Sequence, residues 1–497
     1  MSLKLNNLIS MKILFSAFFL FCVCKVTTAG ATSLPNDPNV IVIVTDDQGY
    51  ADVGVAGFAN DVKTPNIDRL AKQGTRFTNA YVTAPICNVS RLGLITGTYN
   101  QRQGAYWYGK KATISPKLTT IPEVLSKDGY KTGYIGKYHY GYYTPDVRDF
   151  PLNHGFDSFY GYGGNGRQHF LIHDDKYDQI ERKKLKAYKK RGGKHGQALE
   201  YGAFWNGFER DNREGFSTEI YGKKAREFIK TNKESKFYLQ LAFNAVHNFT
   251  HQLPKDYLKA NGLKGYHDWD PDTEDYYTWY KNSRFPNNPE GRAHYLAQLE
   301  YMDTEIGKLL NTLDEQGLAE NTVIILVSDN GGPTPIYANN GPLRGGKYLL
   351  YEGGIRVPMI VSWPGKFKAN TVSNNIVSTM DIFPTLTTLS QTTTPKHVDG
   401  MDITKLLTGE DKTLEHQTLV WDTGHETAIR RGKWKLKTAT DDQYARYEMV
   451  DIELGTFLYD LEKDPGETTD LSKENPDIVQ ELAERYRVWK KDIKQGL

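Results

Sequence analysis

Two short runs constrain the fold of this chain most. Asn39–Thr45 (NVIVIVT) and Thr322–Ser328 (TVIILVS) are nearly unbroken series of β-branched and aliphatic residues. A strand exposed on one face alternates polar and apolar positions. A continuous apolar run instead marks a strand covered on both faces, as in a parallel sheet flanked by helices. Both runs end abruptly, the first in Asp46-Asp47 and the second in Asp329-Asn330.

The intervening sequence supplies the helices such a sheet needs. Thr64-Pro65 reads as N-cap and first helical position, with Ile67, Leu70 and Ala71 on one face and a stop at Gly74. Phe77 to Val82 reads as a strand. Thr120-Ile121-Pro122-Glu123 is a capping box that opens a short helix ending at Gly129. Tyr130 to Ile135 then reads as a strand leading into Gly136-Lys137-Tyr138-His139, and Lys236 to Phe243 as another leading to His247. Ala293 to Leu313 has helical periodicity before Gly317. Strands alternating with helices predict an α/β fold with a large, mostly parallel central sheet sandwiched by helices.

After Asn374 the texture changes to short strands and turns, among them Ile429 to Leu436 and Phe457 to Leu461, followed by an amphipathic helix from about Asp477 to Ile493. This predicts a smaller C-terminal α+β subdomain over 375–497, a catalytic domain over 32–374 and a leader over 1–31. The leader has Lys4 and Lys12, an apolar run from Ile13 to Cys24, and small residues through Ala29 and Ala31. That is the pattern of a cleaved secretory signal, with an apolar run short of the about 20 residues needed to span a bilayer. The expected protein is exported, periplasmic or secreted, with no stable membrane anchor. A net charge of +2 gives no support for a nucleic-acid partner.

Export changes the cysteine arithmetic. Of 3 cysteines, Cys22 and Cys24 leave with the leader, so Cys87 stands alone and no internal disulfide can form. A lone thiol is either an inert buried hydrophobe or a functional group.

Ligands of parallel sheets bind beyond the carboxyl ends of the strands. Asp46, Asp47, Lys137, His139, His247, Asp329 and Asn330 all fall at or just past such ends. Three carboxylates and an amide suit a hard cation, Ca²⁺ or Mg²⁺, and without one would repel each other; Asp and Asn also end strands simply as turn formers. Lys137, His139, His247 and Lys347 add positive charge and proton donors, as an anionic ester requires. The basic run Arg182 to Lys194 reads as a solvated insertion or a polyanion contact, and the aromatic segment Tyr266 to Tyr280 as a packed loop or a sugar-stacking surface.

Cys87-Asn88-Val89-Ser90-Arg91, followed by Leu92 and by Thr96-Gly97, resembles the signature of the formylglycine-dependent sulfatases of the alkaline phosphatase superfamily. The resemblance continues in Asp46-Asp47-Gln48-Gly49, Thr64 to Leu70, Gly136 to His139, Ser328 to Gly332, Arg344-Gly345-Gly346-Lys347, Glu352 to Pro358, and Leu458 to Leu461 with Asp464-Pro465. The sequence departs from the pattern at Val89, where the family has Pro or Ala, and at Val246, where it usually has Pro. The resemblance implies that Cys87 is oxidised to formylglycine by a formylglycine-generating enzyme or its equivalent. The hydrate then attacks sulfur, expels the alcohol, and releases sulfate as the aldehyde re-forms. It implies one Ca²⁺ held by Asp46, Asp47, Asp329, Asn330 and the modified Cys87. Arg91 and Lys137 would hold the diol, and His139 would take its proton. His247 and Lys347, with Lys137, would bind sulfate and protonate the leaving alcohol. The expected substrate is a sulfated carbohydrate such as carrageenan or another sulfated glycan. Phosphonate or phosphodiester hydrolysis on the same fold is an alternative, as is a catalytically silent glycan binder if Cys87 stays a thiol.

Overall fold

The two apolar runs lie side by side in a computed structural model that describes residues 37–109, 112–164, 169–171, 183–193, 204–211, 213–441 and 453–495. The leader over 1–31 and the two ends of the basic insertion, Arg182 and Lys194, fall outside these residues.

Strand β1 (Asn39–Thr45) pairs in parallel with Thr322–Ser328 in full register, Asn39 opposite Thr322 and Thr45 opposite Ser328. In chain order the large sheet comprises β1, β2 (Gly74–Tyr81), β3 (Lys131–Lys137), β4 (Ser158–Tyr162), β5 (Trp205–Asn206), β6 (Glu209–Arg210), β7 (Phe237–Ala242), β8 (Thr322–Ser328), β9 (Met359–Ser362) and β10 (Thr371–Ser378). Its spatial order is β10-β2-β9-β8-β1-β7-β3-β4-β5-β6. The five central strands β8, β1, β7, β3 and β4 are mutually parallel, so their carboxyl ends open on one edge. Both faces of β1 are covered. Ile41 and Ile43 join a core with Ile67 and Leu70 of α1 (Pro65–Lys72), while Val40, Val42 and Val44 are equally buried on the other side.

Two long helices complete that core. From α4 (Ser217–Thr231) come Tyr221, Ala225 and Ile229; from α5 (Gly291–Glu315) come Tyr295, Leu299, Met302, Ile306 and Leu310. These α5 positions recur at helical spacing, and truncating one such side chain to alanine costs about 2–5 kcal/mol. Between α1 and α4 in sequence lie α2 (Cys87–Thr96), every residue of which is buried, and α3 (Ile121–Lys127) with its capping box: Thr120 Oγ1 accepts from the Glu123 N–H and Glu123 accepts from the Thr120 N–H.

Two expectations change and one open alternative closes. The boundary at 374/375 falls inside β10, which pairs in parallel with β2 and belongs to the large sheet. Its sequence (TVSNNIVS) is polar because it is an edge strand with a register shift between Ser373 and Ile376. The second sheet begins only at β11 (Leu419–Asp422) and continues through β12 (Glu426–Arg431), β13 (Trp434–Ala439) and β14 (Gly455–Asp460), all antiparallel and packed on α6 (Pro476–Lys494). The run Ile429 to Leu436, expected as one strand, is a hairpin: Arg431 pairs with Trp434, and Gly432 takes the positive φ of +54° that the two-residue turn requires. Finally, the aromatic segment 266–280 is a small core of its own. Trp269, Tyr276 and Trp279 are buried against Phe249 and against Tyr188 of the basic insertion, while Lys184 and Arg191 of that insertion pair with Asp270 and Asp272. No described helix is long and apolar enough to cross a membrane.

Candidate active site at the carboxyl ends of the sheet

The parallel register brings four strand ends together. Asp46 and Asp47 follow β1 directly, with the Asp46 N–H donating to the Ala245 carbonyl beyond β7 and the Asp329 N–H to the Thr45 carbonyl. Asp47 adopts φ +61°, which turns the chain back so that its N–H donates to Asp329 Oδ1 at 3.2 Å. Lys137 is the last residue of β3. The preceding Gly136 has φ +110°, and a Cβ there would lie 1.8 Å from the Ala242 carbonyl oxygen of β7, so only glycine lets the two strands approach at this point.

Asp47 is the hub. Lys347 Nζ donates to both its oxygens at 2.7 and 2.8 Å, Asn330 Nδ2 donates to Oδ1 at 2.7 Å, His247 Nε2 lies 3.3 Å from Oδ2, and Cys87 Sγ lies 4.0 Å from Oδ1. A second knot surrounds Asp46 and Asp329. Arg91 Nε donates to Asp329 Oδ2 at 2.7 Å, its terminal nitrogen lies 3.7 Å from Asp46 Oδ2, and Lys137 Nζ donates to the same Asp46 oxygen. Three carboxylates thus meet three cations, and all ten residues singled out from the sequence are buried. His139 has different company. It takes φ +50°, and its ring lies 6.3 Å from that of Tyr108 and 6.4 Å from that of Tyr143.

Burial sets the electrostatics. It pushes the Cys87 thiol up to about 12, against the pull of Lys347 and Lys137. As a thiol Cys87 is therefore protonated at neutral pH, and a protonated thiol is a poor nucleophile. Burial works against the Lys347 charge as well, but Asp47 outweighs it and holds the ammonium well above its ordinary range. Asp329 is raised by burial and by Asp46, with Arg91, Lys137 and Lys347 opposing.

The donor set fits a hard divalent cation. Asp46 Oδ1 and Asn330 Oδ1 are buried acceptors with no hydrogen-bond partner, a costly arrangement unless something positive reaches them. Asp46, Asp47, Cys87 and His247 each offer a ligand atom, all within 4.8 Å of one another. Oxygen predominates and Cys87 is the one thiol among the described residues, which favours Ca²⁺ or Mg²⁺ over a softer metal. His247, assigned to sulfate from the sequence, stands within this donor group. Both oxygens of Asp329 already accept hydrogen bonds, from Asp47 and Arg91.

The family described as Sulfatase matches residues 38–392, more than half the chain. The chain belongs to the sulfatase family. It is accordingly a sulfuric ester hydrolase, and residues 346–492 match the C-terminal region described for N-sulphoglucosamine sulphohydrolase. This sulfatase is 29% identical to the N-acetylgalactosamine-6-O-sulfatase of Bacteroides thetaiotaomicron over 90% of its own length and 92% of that protein's. Among solved structures it is similar to Ps i-CgsB in complex with k-i-k-neocarrahexaose, at TM-score 0.73 and 29% identity, covering 91% of this chain and 93% of that one. It is also similar to the PsFucS1 sulfatase from Pseudoalteromonas sp., at TM-score 0.70 and 26% identity, covering 93% and 91%.

One cluster beside the candidate site left little trace in the sequence. Trp107, Tyr108, Tyr348 and His425 form a contiguous ring cluster, with Trp107 6.3 Å from Tyr348 and 5.9 Å from His425, and Tyr108 6.3 Å from Tyr348. Tyr108 is exposed and also neighbours His139. The only sequence signal was the local density of Tyr106-Trp107-Tyr108, since Tyr348 and His425 arrive from distant loops.

Proposed function

We propose that this sulfatase removes sulfate from a sulfated carbohydrate, with Cys87 matured to formylglycine beside a Ca²⁺ ion. The observation that carries the reading is the position of Cys87. It is the first residue of a buried helix, next to Asp47, in a site where every carboxylate is matched by a cation. Asp46, Asp47, Asp329 and Asn330 would hold the ion with residue 87, and Ca²⁺ there would lower the pKa of a coordinated hydroxyl and so supply a nucleophile at neutral pH.

The chain's own groups do the rest. The N-terminal end of α2, whose first residue is Cys87, favours negative charge developing at residue 87. Arg91, pinned between Asp329 and Asp46, would hold the diol of the matured residue 87. Lys137 and Lys347 provide positive charge for sulfate oxygens in a site closed to water, where such charge acts strongly on a transition state. His247 Nδ1 faces the Asn248 carbonyl at 3.2 Å, which leaves Nε2 to accept from Lys347 Nζ at 3.2 Å. The proton for a departing alkoxide then comes from the Lys347 ammonium, which is left as a neutral amine on His247 Nε2. His139, beside the exposed tyrosines, would receive the proton of the second hydroxyl.

The carbohydrate part of the proposal rests on the ring cluster of Trp107, Tyr108 and Tyr348, which suits the apolar face of a pyranose. It rests also on the relatives, whose names specify N-acetylgalactosamine 6-sulfate and a neocarrahexaose complex. Export follows from the leader pattern, which suits a large external polysaccharide. The test is desulfation of defined sulfated oligosaccharides alongside phosphate diesters and phosphonates, read by NMR. Release of sulfate from a glycan supports the reading; faster turnover of the phosphorus esters overturns it in favour of the phosphonate or phosphodiester alternative.

A further inference from the structure

Lys347 sits in a glycine-rich loop, residues 344–354, whose only regular structure is the single turn Glu352–Ile355 at its end. Internal backbone bonds from Leu349 to Gly346, Gly353 to Arg344 and Gly354 to Tyr351 shape the loop, and ties to other elements fix its place. It is tied to the second sheet. The Leu350 N–H donates to Glu426 Oε2 on β12 at 2.8 Å, and the Glu352 N–H donates to Glu467 Oε2 beyond β14 at 2.6 Å. Arg344 donates to the Glu467 carbonyl oxygen at 3.1 Å, closing the loop's other end.

Each anchoring carboxylate is buried and has its own lysine from β13. Lys437 Nζ lies 3.0 Å from Glu426, and Lys435 Nζ lies 2.8 Å from Glu467 and 3.0 Å from Glu352. Well-packed apolar residues would stabilise such a spot as well as buried ion pairs do. What a carboxylate adds is a short, charge-assisted acceptor for a backbone N–H, fixed in direction. The loop residues nearest the site, Gly345 and Tyr348, sit at φ +70° and +79°, and the Tyr348 N–H donates to the Pro85 carbonyl two residues before Cys87.

We propose that Glu426 and Glu467, neutralised by Lys437 and Lys435, are positioning residues that suspend the Lys347 loop and set Lys347 against Asp47, His247 and the sulfate group. The second sheet is then a working part of the catalytic site. This rests on the reading of Lys347 as a sulfate-binding group.

The test compares two paired variants of the full-length protein. Glu426→Gln with Lys437→Met removes the ion pair but keeps an acceptor for Leu350; Glu426→Leu with Lys437→Met removes both. The first pair is expected to keep kcat/KM within a few-fold. The second is expected to lower it about tenfold or more and to weaken inhibition by inorganic sulfate by a similar factor, since small misplacements of a catalytic group cost this much. Should the leucine pair not fold, Glu426→Asp, which keeps the charge and shortens the reach, takes its place with the same expectation. Each variant is then combined with Lys347→Ala. If Glu426 acts through Lys347, its effect on kcat/KM and on sulfate inhibition disappears in that background. Equal losses from the two pairs, or losses that multiply with that of Lys347→Ala, overturn the proposal. An unchanged kcat/KM in Lys347→Ala alone overturns the reading beneath it.

Discussion

Lys347→Met offers the sharpest test of how charge is balanced in this site. The substitution keeps the aliphatic stem and deletes the ammonium that bridges both oxygens of Asp47 at 2.7 and 2.8 Å, with both side chains 2% exposed. At that separation and an effective dielectric of about 20, the attraction is roughly 6 kcal/mol, an upper bound before desolvation is counted. Removing one partner of a buried pair costs about 3–5 kcal/mol. Asp47 keeps the Asn330 amide at 2.7 Å and His247 at 3.3 Å, which places the loss at the lower end, about 3 kcal/mol. A divalent cation on Asp46, Asp47 and Asn330 would replace the missing charge. Thermal unfolding of wild type and variant, each in EDTA and in excess CaCl₂, is expected to show a large Tm deficit for the variant in EDTA and a much smaller one in CaCl₂. Equal deficits under the two conditions would refute the assignment of these carboxylates to a metal. In CaCl₂, kcat/KM of the variant is expected to fall about 10²–10³-fold through lost transition-state charge stabilisation.

Trp107→Ala is expected to raise KM about fivefold on sulfated oligosaccharides, the equivalent of roughly 1 kcal/mol of stacking, and to leave a small aryl sulfate unaffected; equal effects on both substrates would remove the ring cluster from substrate binding. Val89→Pro is expected to raise the fraction of Cys87 converted, because position 89 lies in the first turn of α2, where its N–H bonds only the neighbouring Asn88 side chain and proline is tolerated; mass spectrometry of the recombinant protein checks this. His154 is held neutral by burial, its pKa pushed down to about 4, with its ring nitrogens on the Tyr140 hydroxyl and the Arg148 carbonyl, both at 2.9 Å. The unfolded chain therefore binds the extra proton between pH 6.5 and 4, so this stability is present above 6.5 and is lost as pH falls through that window, by up to about 3 kcal/mol. His154→Gln is expected to flatten that slope in denaturant titrations, and an unchanged slope would assign it to other groups.

Much of this was legible because buried parallel strands admit few alternatives. Asn39–Thr45 and Thr322–Ser328 read to the residue, since covering both faces leaves no polar position inside the run. The convergence of the candidate residues followed, because parallel strands share one carboxyl edge. The edge strand Thr371–Ser378 was lost for the opposite reason: one side faces solvent, so its Asn and Ser residues resemble a linker. The hairpin at Gly432 was hidden because the charged residues around it, Arg430, Arg431 and Lys433, also suit the exposed positions of a strand. The ties from Glu426 to Leu350 and from Glu467 to Glu352 span 76 and 115 positions and leave no local pattern. The aromatic segment 266–280 was ambiguous in principle, because a ring that packs a small core and one that meets a sugar have the same composition.

The proposed chemistry depends on maturation of Cys87, and the mass of the peptide that contains it, in protein from the native host, reports that maturation. Conversion to formylglycine predicts a peptide about 18 Da lighter than the cysteine form, with specific activity rising in proportion to the converted fraction. An unmodified thiol in protein that is fully active would contradict it.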